Sequence, residues 1–170
     1  MDRYRIKPFA LIVLILLVLA GCSKKDSEKA NLMVNMNSVT GNSNECITMV
    51  INLFDNTNCF ADLSIVNDSD SEVRFGEEFC IQRKEKDSWT SVEYVSNNIC
   101  WNVVAFPVDP KGSLECTVHW ESIYGTLEAG TYRLIKDYVM GSEKDYEDQL
   151  KGKGWGDKIG YCVCEFKIVD

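Results

Sequence analysis

The chain has 170 residues, with 18 Lys and Arg against 26 Asp and Glu and a formal net charge of −8. Such acidity excludes an ordinary nucleic-acid binder, which needs clustered Lys and Arg to displace counterions from phosphate. The length suits one domain with a sizeable core rather than two.

The first residues carry Arg3, Arg5 and Lys7, followed by an uncharged apolar run from Phe9 to Ala20. A basic flank, an apolar stretch and a small-residue exit are the parts of a secretory signal, here residues 1–21. The run falls short of the roughly 20 apolar residues that span a bilayer. Its end, Leu19-Ala20-Gly21-Cys22, resembles the lipobox of bacterial lipoproteins. The resemblance implies cleavage before Cys22 and diacylglycerol on its thiol. Two acyl chains give stable anchoring where one does not, so the chain is expected at the outer face of the cell membrane, with the membrane as its partner through Cys22. An ordinary signal peptide with an incidental cysteine is the plainer alternative, but it does not account for small residues and a thiol coinciding at the end of the run.

Residues 22–32 read as the lipidated cysteine and a flexible tether, since Ser23 to Ala30 is charged and has no large apolar residue. Lys24 and Lys25 stand where anionic head groups would meet them. Loss of Arg3, Arg5, Lys7 and Asp2 with the leader leaves 15 basic against 25 acidic side chains, a net charge of −10. The lipid, not the body, must therefore do the holding.

From residue 33 to 170 the pattern is β. Ile47, Met49, Ile51 and Leu53 alternate with Thr48, Val50 and Asn52, and Leu63 and Ile65 lead into the turn Asn67-Asp-Ser-Asp-Ser71. Phe79 and Ile81 follow. Leu114, Cys116, Val118 and Trp120 then alternate with Glu115, Thr117 and His119. Tyr132 and Leu134 alternate with Thr131 and Arg133, and Cys162, Cys164, Phe166 and Ile168 with Val163, Glu165 and Lys167. Period two in short runs between turn signals predicts an antiparallel β-sandwich or barrel. Only Lys144–Lys151 reads as helix, too polar for a core.

Leu127-Glu-Ala-Gly130-Thr-Tyr132 looks like the tyrosine corner of Greek-key sandwiches, in which the hydroxyl bonds to backbone a few residues upstream. Gly130 is expected to permit a tight bend. Where antibody domains place their second cysteine this chain has Leu134, so the usual inter-sheet disulfide is missing. Seven other cysteines remain: Cys46, Cys59, Cys80, Cys100, Cys116, Cys162 and Cys164. In an exported domain they allow up to three bridges with one thiol over, or they are reduced core residues.

Asn67 to Phe79, then Trp89, Trp101-Asn102 and above all Gly112 to Lys136 together resemble a bacterial immunoglobulin-like domain found in lipoproteins and surface proteins of Firmicutes. The similarity runs from about Val39 to the C-terminus. It implies a Greek-key sandwich outside the cell and no catalytic residue.

The individual candidates point the same way. His119, the lone histidine, faces away from Trp120 by strand parity, and a nucleophilic Cys/His pair would need a cysteine beside it and a third orienting group. Cys162 and Cys164 share the face of Phe166 and Ile168, which favours packing or a disulfide over soft-metal binding. Asp68, Asp70 and Glu72 cluster like calcium ligands but lack the glycine and distal glutamate of an EF-hand loop, and read as a solvated turn. Trp155, among glycines at Gly152-Lys-Gly-Trp155-Gly156, is a contact anchor or an edge residue folded back. The expectation is a non-catalytic binding or structural module with no cofactor or metal and an unidentified protein or envelope ligand. The rivals are a thiol-dependent metal or redox lipoprotein and an immunity or inhibitor lipoprotein for one secreted partner.

Overall fold

A computed structural model describes residues 42–151 and 158–169. The expected leader (1–21), Cys22 with its tether (22–32) and Trp155 lie outside the described residues. In chain order the described strands are β1 (Ile47–Asp55), β2 (Phe60–Asn67), β3 (Val73–Phe75), β4 (Cys80–Glu85), β5 (Ser88–Ser91), β6 (Phe106–Val108), β7 (Gly112–His119), β8 (Gly130–Met140) and β9 (Ile159–Ile168). A short helix α1 (Glu121–Tyr124) links β7 to β8, and α2 (Glu143–Leu150) links β8 to β9. The polar helix expected from the sequence is therefore present.

One antiparallel sheet has the order β1-β2-β7. The other is built on β8, which pairs with β9 on one edge and with β4 and then β3 on the opposite edge. β5 extends β4, and β6 extends β3. The chain leaves this second sheet after β6, joins β2 as β7, and returns as β8, a Greek-key crossing. This is the antiparallel immunoglobulin-like sandwich.

Alternation decides which side chains meet between the sheets. Ala61, Leu63 and Ile65 of β2 are buried while their neighbours are half-exposed. Val118 and Trp120 are buried opposite them, and Cys162, Cys164, Phe166 and Ile168 join the same core. β1 departs from the expected pattern. Its register shifts between Ile51 and Leu53, and a bulge reverses the facing of every later residue in a strand. Leu53 is consequently 53% exposed, and Phe54 turns inward to stack on Trp120 at 5.3 Å.

The tyrosine corner forms: Tyr132 Oη donates to the Glu128 carbonyl at 2.9 Å. Gly130 serves it by yielding room rather than by adopting a left-handed bend. A Cβ there would stand 3.2 Å from Tyr132 Cε2 and 3.2 Å from Arg83 Nε. Leu134 is buried where an antibody domain has its cysteine. Arg133, expected to face solvent, is also buried, because β8 is the central strand and is covered on both faces. Its guanidinium lies 4.6 Å from the Trp89 ring, and its Nε donates to Gln82 Oε1 at 2.7 Å.

Candidate functional site

β3 and β4 are one strand interrupted. Phe75 pairs with Tyr138 and Cys80 with Ile135, so four residues, Gly76 to Phe79, face only Lys136 and Asp137 on β8. The surplus backbone loops away from the ladder and leaves carbonyls without strand partners, which must be satisfied elsewhere. Lys136 supplies the partner. It occupies a core-facing position between Leu134 and Tyr138, is 3% exposed, and its Nζ donates to the carbonyls of Gly76 (2.9 Å), Glu77 (3.2 Å) and Glu78 (2.9 Å). Three acceptors use all three donors of an ammonium. Burial pulls the Lys136 pKa below its ordinary value, and the nearby Cys116, Asp137, Cys162 and Glu78 pull it back up.

Above this cradle lies a pocket of about 260 Å³ between β7 and the interrupted strand. Phe75, Phe79, Trp101 and Phe106 line one wall, and Leu114, Cys116 and Val118 of β7 the other. Thr117 and His119 border it, and Lys136 with Gly76 and Glu77 forms its polar end. Trp101 packs its edge on Phe79 at 5.3 Å, and Asn102 Nδ2 donates to Glu77 Oε2 at 2.8 Å. The Trp101-Asn102 pair thus shapes the pocket.

Two carboxyls beside the cradle, Asp137 and Glu78, are held above their ordinary pKa, each chiefly by burial. Burial, and then the charge of Asp137, push the Glu78 pKa up to about 7, against a smaller opposing pull from Lys136. Its Oε1 is buried without a hydrogen-bond partner.

The pocket's thiol is not activated. Burial holds the Cys116 thiol above its ordinary pKa despite the Lys136 charge nearby, whereas a nucleophilic cysteine needs a lowered one. His119 points to the outer face, as expected, and packs against Phe60 with ring centroids 5.8 Å apart. The structure does not bring it together with a cysteine as a nucleophile and base.

The other sequence candidates are dispersed. All seven cysteines are free thiols: Cys46 and Cys100 exposed, Cys59 and Cys162 buried, Cys80, Cys116 and Cys164 between. Among the described residues no two of these sulfurs are bonded to each other. Cys162 packs 3.9 Å from Met49 Sδ, and burial raises its pKa to about 12, so Cys162 and Cys164 serve the core, as their parity predicts. Asp70 is paired with Lys111 at 3.0 Å and Glu72 with Arg74 at 2.7 Å, which leaves the acidic turn held by cations. Among the described residues no three His, Cys, Asp or Glu gather as metal ligands would.

Sequence reasoning singled out Cys116 and His119, placed Phe75 and Trp101 only within the family resemblance, and assigned no role to Lys136 or Glu78. One signal was present: Lys136 is a charged residue at core parity between two large hydrophobic ones.

Comparison with known proteins decides the family. The sequence model of a family described as bacterial Ig-like domain matches residues 26–151. The chain belongs to that family. The match takes in β1 to β8 and α2 of this bacterial Ig-like domain and ends before β9. No curated protein matches the chain. Membership supports a surface or binding module, and folds of this kind carry their function on grafted sites.

Proposed function

We propose that this bacterial Ig-like domain is a lipid-anchored, extracytoplasmic, non-catalytic binding module. The observation that carries the binding half is the pocket at the open margin of the sandwich. It is walled by aromatic side chains, its cation is saturated by three carbonyls, and its thiol is held protonated. An apolar recess with few fixed polar groups and no activated nucleophile suits recognition. Support for the anchor is the sequence Leu19-Ala20-Gly21-Cys22 after an apolar run.

Each half is testable with one variant set against the parent. The parent should take up labelled palmitate and enter the detergent phase, and Cys22→Ser should do neither. The parent used as bait in envelope extracts should retain a component that a Cys116→Phe variant, with its pocket filled, does not. Equal labelling of the two anchor forms would defeat the lipid half, and equal capture by the two baits would defeat the pocket.

A further inference from the structure

The margin that holds the pocket also holds an unpaired strand edge. Among the described residues β7 bonds only to β2. Trp120 N donates to the Cys59 carbonyl at 2.9 Å, and the β2–β7 register continues without a shift. In an antiparallel ladder the residues two apart share one bonding direction. Leu114, Cys116 and Val118 therefore bond toward β2, and Ser113, Glu115, Thr117 and His119 turn their N–H and C=O groups outward.

Exposed edges are normally blunted by lysine, proline, bulges or a covering segment. Three other margins of this sandwich use these devices. β6 carries Pro107, β1 carries a register shift between Ile51 and Leu53, and Asn42 and Ser43 bond along the outer edge of β9. Between Gly112 and His119 β7 has no lysine, no proline and no bulge, and Pro110 and Lys111 stand only in the turn before it.

Beside that bare edge the pocket measures about 260 Å³. This is below the roughly 300–1,000 Å³ of sites for drug-sized ligands and above the roughly 150 Å³ cavity that accepts benzene. It is a receptacle for one large apolar side chain. The surroundings are anionic. Glu77, Glu115 and Asp62 are hydrogen-bonded by neutral groups, and none forms an ion pair among the described residues.

We propose that β7 captures an extended peptide strand from a partner protein. The strand pairs with the outward groups of Ser113 to His119, seats one large apolar side chain against Phe79, Trp101 and Cys116, and carries Lys or Arg toward Glu77 and Glu115. This is recognition by strand addition, in which main-chain bonds give affinity and the pocket gives specificity. It deepens the binding-module reading and rests on it.

The probe is the peptide fluorescein-Thr-Lys-Thr-Trp-Lys-Thr-Thr-amide, whose first lysine shares the tryptophan's face toward Glu77 and whose second lies on the opposite face toward Glu115, added to the full-length acylated protein in detergent micelles. Its anisotropy should saturate below about 1 mM. Versions with alanine for tryptophan, or glutamate for lysine, should bind at least about tenfold more weakly. Thr117→Pro removes one outward N–H at a position where an edge strand tolerates proline, and it should weaken binding by a similar factor. If that variant fails to fold, amide exchange on the unaltered protein decides: the peptide should slow exchange at Glu115 and Thr117. Absence of saturation, protection elsewhere, or protection of β7 by self-association without peptide would overturn the proposal. If Thr117→Pro still captures the same envelope component as the parent, the strand-addition mode fails while the binding-module reading survives.

Discussion

The two long margins of this sandwich close by opposite means. Where β1 meets β9 the closure is aromatic and dry: Phe54 lies 4.8 Å from Phe166, which stacks on Tyr132 at 5.6 Å. Ser43 N donates to the Tyr161 carbonyl at 3.0 Å and Val163 N to Asn42 Oδ1 at 2.8 Å, so the edge of β9 is covered. Where β7 meets the interrupted β3–β4 strand, an ammonium occupies the place of an apolar side chain. Its three carbonyl partners hold the strand apart from β8 and keep a pocket open. Apolar contact has no direction and draws surfaces together. A saturated polar cradle fixes geometry and leaves space beside it.

Breaking the open margin should cost most. Lys136→Met keeps the length of the side chain but leaves three carbonyls without their donor. Hydrogen bonds to charged groups contribute about 1.5–3 kcal/mol each, and water entering through the pocket recovers part of this. The expected loss is about 3 kcal/mol, seen as a fall of about 10 °C in Tm. A fall of less than a third of that would mean that the ammonium is incidental to the interruption. On the sealed margin the corresponding probe is Gly160→Ala. A Cβ there would lie within the Tyr138 ring's contact distance and 2.6 Å from Ser43 Oγ. Overpacking of this kind costs about 2 kcal/mol, measured as a lower urea midpoint at unchanged m-value. If alanine is accepted without loss, the closure is looser than its geometry indicates.

The difference between the margins also separates what was legible in the sequence from what was not. Alternation in β2, β7 and β9 is a local property, and it identified the strands and the inward faces of Leu63, Val118 and Cys162. The tyrosine corner is likewise contained within Glu128 to Tyr132. The bulge at Asn52 has no glycine or proline to announce it, so Leu53 was expected inside. Burial of Arg133 depends on β8 being central, which period two does not reveal. The pocket joins Phe75, Trp101, Cys116 and Lys136 from four separate segments, and its cradle depends on two surplus residues opposite β8. Pairing of distant segments fixes both features, so composition alone does not display them.

Glu78 gives the finest test of the open margin. Its folded pKa of about 7 lies above the ordinary 4.5 because burial and Asp137 disfavour the carboxylate. The folded chain thus holds this proton more tightly than the unfolded chain. Below about pH 4.5 both states are protonated and the stability associated with this group is fully present. Between about 4.5 and 7 the unfolded chain ionises first, so stability declines as pH rises. Above about 7 both states are ionised and the penalty is constant. Partial exposure screens the effect to about 1–2 kcal/mol. Glu78→Gln keeps the shape and removes the titration. Urea unfolding at pH 4.5, 6 and 7.5 should find the variant equal to the parent at the lowest pH and more stable by about 1 kcal/mol at the highest. A gap that stays constant with pH would place the carboxyl in water, and the polar end of the pocket would then be open rather than enclosed.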